Sequence, residues 1–162
     1  MRLMTWILSC LLLCSCSTTH KIKTPKPPCL YPFVNYDFTL CQQFNFSIDE
    51  VQYKVPQGFT TDLASIPRIL WSIYSPNMAN TIPAAVIHDY LYFCPGEMTR
   101  TEADSIFYDA LIYKHVKTRT AFKYWIAVRT FGRSHFNEGA VCNYTVSKIK
   151  NSNGQKRQRG LG

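Results

Sequence analysis

Between Phe44 and Val55 apolar and polar positions alternate. Phe44, Phe46 and Ile48 interleave with Asn45 and Ser47, and Val51, Tyr53 and Val55 interleave with Gln52 and Lys54. A period of two describes strands with one buried face. Asp49-Glu50 between them is short enough for a hairpin turn, although it lacks the Gly or Asn that such turns favour. Phe38 and Leu40 supply a candidate third strand. Further on the period lengthens. Ala84, Ile87, His88 and Leu91 fall at helical spacing, with Pro83 just inside the start and Pro95-Gly96 at the stop. Thr99-Arg100-Thr101-Glu102 has the form of a capping box, opening a second helix with the stripe Ala103, Ile106, Phe107, Ala110 and Leu111. A third helix is predicted from about Arg119 to Phe131, apolar at Phe122, Trp125, Ile126 and Val128, with Gly132 as its C-cap. The predicted class is α+β: a small antiparallel sheet of two to three strands followed by about three packed helices.

The two ends do not share this patterning. Residues 1–16 carry Arg2, then an apolar run through Leu13 too short to span a bilayer, which needs ~20 residues. The run ends Leu13-Cys14-Ser15-Cys16, which resembles the lipobox of bacterial lipoproteins, with Cys16 as the lipidated residue. An acyl anchor there would hold the chain at a membrane face of the cell envelope. Residues 17–28, rich in Pro and Lys, read as an extended tether, 29–147 as one domain, and 148–162 as a basic disordered tail. Tether and tail carry much of the formal net charge of +8, so the domain needs no nucleic-acid partner. Cys29, Cys41, Cys94 and Cys142 remain in the domain; an even number in an exported chain predicts up to two disulfides, in any of three pairings.

Candidate chemistry gathers in the predicted helix pair. His88 shares the inward stripe of the first helix, whereas Asp89 is rotated ~100° from it and is expected to face other neighbours. An imidazole on an apolar stripe needs a partner. Asp104, in the first turn of the next helix, meets that need if the two helices pack antiparallel across Cys94–Arg100. His88 would then be a general base held in one tautomer by Asp104, leaving Asp89 for a metal ion. The structural alternative has Asp104 accepting backbone N–H bonds in its own first turn and His88 bonding a carbonyl. The stretch TTDLAS adds oxygens in a bend after Gly58, and Asp62 is either a turn former or a ligand for a hard cation such as calcium. Ile69–Tyr74 is expected to be helical. Arg129 leans inward and should pair with a carboxylate, or lay its stem over Trp125; with Arg100 it completes the set of supporting residues.

Four stretches in order, VPQGFTTDLASIPRILW, AAVIHDYLY, RTEADSIFYDAL and AVRTFG, resemble the phage and bacterial family called domain of unknown function 1353. The resemblance implies a small domain without a settled biochemical role, often carried by phages and prophages. AAVIHDYLY followed by ADSIFYDAL is also similar to the two active-site helices of secreted and parvoviral phospholipases A2. That similarity implies His88 activating water, Asp104 orienting it, Tyr92 supporting the pair and Asp89 holding calcium. The Gly-x-Gly calcium loop of those enzymes has no counterpart here, and Asp62 is the candidate substitute. Two functional expectations result: an envelope lipoprotein with a hydrolase-like site for an ester or amide bond, or a non-enzymatic phage-encoded lipoprotein. The second would bind an envelope component or a phage or host protein, in superinfection exclusion or lysis.

Overall fold

A computed structural model describes residues 19–32, 37–63, 79–137, 140, 142 and 147–148. The lipobox, the Ile69–Tyr74 segment and residues 149–162 of the expected tail lie outside the described residues, whereas Lys148, expected to open that tail, pairs with Val51 in a strand. Strands β1 (Ile22–Lys23), β2 (Leu30–Pro32), β3 (Phe38–Leu40), β4 (Phe44–Ile48), β5 (Val51–Val55) and β6 (Thr60–Thr61) precede three helices. These are α1 (Ile82–Phe93), α2 (Arg100–Tyr113) and α3 (Thr118–Phe131), followed by a 3-10 turn at Gly132–His135 and β7 (Ser147–Lys148). The class is α+β, but the strands form two antiparallel sheets, ordered β1-β4-β5-β7 and β2-β3-β6. Phe38 and Leu40 thus lie in a strand that joins the second sheet rather than extending the β4–β5 hairpin.

The hairpin turns where the alternation breaks. Asp49 and Glu50 adopt φ of 47° and 71°, left-handed values that a primed turn requires and that L-residues resist. Asp49 is held there by its carboxylate, which bonds the His20 imidazole at 2.7 Å and accepts the Lys21 N–H at 2.8 Å. His20 also donates its backbone N–H to Asp109 at 2.7 Å, fastening the chain to α2. Here the expected tether departs from its reading. Ile22 pairs with Ile48 in β1–β4 and is buried, so the stretch 17–28 contributes an apolar side chain to the core.

Phe44, Phe46, Ile48 and Val55 project from the hairpin into one core with α1 and α2. Phe46 stacks on Tyr53 with ring centroids 5.0 Å apart and meets Tyr90 of α1 edge-on at 6.2 Å. Nearly every residue of α1 is buried, as suits a helix apolar on all sides. α2 opens with the capping box: Glu102 N–H donates to Thr99 Oγ1, and Thr99 N–H returns a 2.8 Å bond to the Glu102 carboxylate. Its buried face is the predicted stripe plus Asp104. α3 differs. It buries Ala121, Tyr124, Ala127 and Val128, while Phe122 and Ile126 stay 50 % and 42 % exposed. Two disulfides close the fold, Cys29–Cys41 across the β2–β3 hairpin and Cys94–Cys142 from the end of α1 toward β7. Among the described residues no helix is long and apolar enough to cross a membrane.

Candidate functional site

α1 and α2 pack antiparallel, which sets the middle of one beside the second turn of the other. His88 Nε2 meets Asp104 Oδ1 at 3.0 Å, and the Tyr92 hydroxyl, one turn after His88, donates to the same oxygen at 2.6 Å. From α3, Arg129 donates to Asp104 Oδ2 at 2.8 Å. A single carboxylate with no exposure, carried by α2, therefore binds side chains from the two other helices and ties all three together. Arg100 enters at one remove, donating to the Arg129 carbonyl at 3.2 Å. The His88 ring is fixed between Tyr92 and Phe107, with centroids 4.0 and 4.7 Å away.

Electrostatics follow from the burial and the bonds. Desolvation works against ionising Asp104, yet the bonds from His88, Tyr92 and Arg129 prevail and hold its carboxyl below the ordinary value. Burial likewise opposes charge on His88, but Asp104 and Asp89 together outweigh it and raise its pKa. The Tyr92 phenol is pushed far up by burial and by the carboxylate it serves.

Beside this network a matching segment runs from Phe38 to Val128 for a family model described as "Protein of unknown function (DUF1353)". The chain belongs to the DUF1353 family. No curated protein and no solved structure matches it. The DUF1353 segment includes Thr61, Asp62, His88, Asp89, Tyr92 and Asp104, and stops one residue short of Arg129.

In this DUF1353 chain the second imidazole nitrogen points elsewhere. His88 Nδ1 is buried, has no hydrogen-bond partner among the described residues, and stands 3.7 Å from Asp89 Oδ1. The ~100° rotation between the two residues thus does not separate them, because both side chains turn toward the shared flank of α1. The Thr61 hydroxyl donates to Asp89 Oδ2 and accepts the Leu63 N–H at 3.1 Å, which fastens the TTD bend to α1. Asp89, Thr61, Asp62 and Tyr92 line a cleft of about 310 Å³ whose other wall includes His135 and Asn137. Those two went unnoticed in the sequence, where the segment after α3 has neither periodicity nor a motif. A backbone bond from Asn137 N–H to the Tyr92 carbonyl, 3.0 Å, brings that segment to the cleft.

Gly132 has a second use. Its φ of −77° is open to any residue, so backbone freedom does not explain a glycine at the α3 C-cap. A β-carbon there would stand 2.9 Å from the Tyr92 hydroxyl, so glycine makes the space in which Tyr92 reaches Asp104.

Among the described residues no group of three or more His, Cys, Asp or Glu side chains is arranged to hold a metal ion. Asp62 and Asp89 nevertheless line one cleft, and carboxylates are what hard cations select.

Proposed function

We propose that this DUF1353 protein is an envelope lipoprotein, anchored through Cys16, that hydrolyses an ester or amide bond. The observation that carries the reading is the chain Tyr92–Asp104–His88. It fixes Nε2 and leaves Nδ1 unpartnered among the described residues, on the side of the cleft-lining Asp89. With its Nε2–H donated to Asp104, neutral His88 presents Nδ1 as an acceptor. Because Nδ1 is buried beside Asp89 and His88 does not line the cleft, the reaction requires Asp89 to turn aside and admit a water. That water gives its proton to Nδ1 as its oxygen attacks the substrate carbonyl. The tetrahedral intermediate then collapses, and the leaving alkoxide or amine takes that proton from the imidazolium. Asp104 stabilises the transient positive charge, and Arg129 and Tyr92 keep the carboxylate aimed. A hard cation such as calcium, held by Asp89 and Asp62, would polarise the carbonyl. The two disulfides accord with an exported chain, since they persist in oxidising compartments.

The test is hydrolysis of envelope esters and amides, phospholipids and cross-linking peptides among them, by wild type and His88→Asn with equal circular dichroism. Loss of about 10² or more in rate is expected for the variant. Absence of turnover by wild type on the whole panel, with no heat of calcium binding, would sink the hydrolase.

One observation favours a second reading. His88 is 1 % exposed and Asp104 fully enclosed, as in a purely structural lock. On that reading the protein is a phage-encoded envelope lipoprotein acting by binding, in superinfection exclusion or lysis. Host cells expressing it would resist plating by related phages, and His88→Asn would protect as well as wild type.

A further inference from the structure

The outward face of α3 has no use in either reading. Phe122 and Ile126 lie opposite the buried Ala121, Tyr124, Ala127 and Val128, so the helix is apolar on two sides. Phe122 stacks on half-buried Trp125, with centroids 5.7 Å apart, and the pair forms a flat aromatic plate. Ile112 and Tyr113, at the end of α2 that leads toward α3, are exposed as well. Along the chain here, between Asp109 and Glu138, the charge has one sign. From Ala110 to Asn137 the chain contains Lys114, Lys117, Arg119, Lys123, Arg129 and Arg133, and no Asp or Glu. Arg129 is drawn inward to Asp104; Lys117, Arg119, Lys123 and Arg133 are exposed.

We propose that this α3 face lies on an anionic lipid bilayer, a contact additional to any acyl chain on Cys16. Aromatic and aliphatic side chains with basic neighbours and no acidic ones are what an interfacial helix presents to lipid. Trp and Tyr rings suit the headgroup level, and each basic residue near an anionic surface strengthens binding about fivefold. A protein partner would be met by a mixed-charge rim, and a helix hidden in a core would lack Arg119 and Lys123. The inference stands on α3 alone and survives failure of the hydrolase reading.

The experiment places a photoreactive benzophenone side chain at the exposed Phe122 of the full chain, reconstituted in vesicles of phosphatidylglycerol or of phosphatidylcholine. Mass spectrometry after illumination is expected to find acyl-chain adducts at this position in phosphatidylglycerol, several-fold above phosphatidylcholine. Adding Arg119→Glu and Lys123→Glu should abolish the excess while leaving thermal unfolding unchanged. Adducts to a second copy or another protein, adducts independent of headgroup charge, or no adduct at all would each overturn the proposal.

Discussion

Asp104→Ala removes the α2 acceptor that receives donors from both α1 and α3, and its cost can be worked out from the bonds it breaks. The Tyr92 hydroxyl and His88 Nε2 lose a partner in a buried setting, at about 1–3 kcal/mol each. Arg129 is 31 % exposed and can turn to water, so its loss adds no more than about 1 kcal/mol. The sum, about 2–7 kcal/mol, is a large part of the stability of a domain this size. Tyr92→Phe removes one donor from a carboxylate that keeps two others, and should cost about 1–2 kcal/mol. Made on top of Asp104→Ala, the same Tyr92→Phe change deletes a hydroxyl that is already orphaned, so its cost should vanish or reverse. Urea unfolding of the four proteins, disulfides intact and followed by circular dichroism, measures this coupling, expected at about 1–3 kcal/mol. Equal cost of Tyr92→Phe in both backgrounds would refute the shared-acceptor account.

Gly132→Ala should destabilise by about 1–3 kcal/mol in the same assay, and by far less in a Tyr92→Leu background, because the clash is with that phenol. The depressed pKa of Asp104 implies stability that is present above the ordinary Asp value near 3.8 and lost as pH falls through the folded value. Midpoints of urea unfolding measured from pH 6 downward should therefore fall for wild type, and fall less steeply for Asp104→Asn. Replacing Cys94 and Cys142 with Ser opens a link between positions 48 residues apart, which should cost about 4 kcal/mol in the chain-entropy account. A loss of that size would appear as a lower melting temperature of the oxidised protein.

Much of the site was legible because helix periodicity and capping are local. The capping box at Thr99 fixed where α2 begins, the short Cys94–Arg100 connection implied antiparallel packing, and together they brought Asp104 toward His88. The departures come from terms that residue hydrophobicity does not carry. In α3 the small Ala121 and Ala127 are buried while the larger Phe122 and Ile126 look outward, an order that residue hydrophobicity does not give. Ile22 is one apolar residue between two lysines, so β1 is visible only once β4 offers it a partner. The split into two sheets depends on pairings such as Phe38 with Thr61, distant in sequence and unmarked by pattern. Gly132 was readable as a helix end, but its closeness to Tyr92 is a tertiary fact.

The fastening of His20 to Asp49 and Asp109 would set how far a Cys16-anchored protein reaches from a membrane. With lipid on Cys16, only four residue steps separate the acyl attachment from the first fixed point of the domain, about 14 Å when fully stretched. That leash is about as long as the radius of the body it holds. If Cys16 is acylated, anything that binds the cleft would have to come to the bilayer surface, since so short a link would leave the domain no slack with which to search the space beyond it.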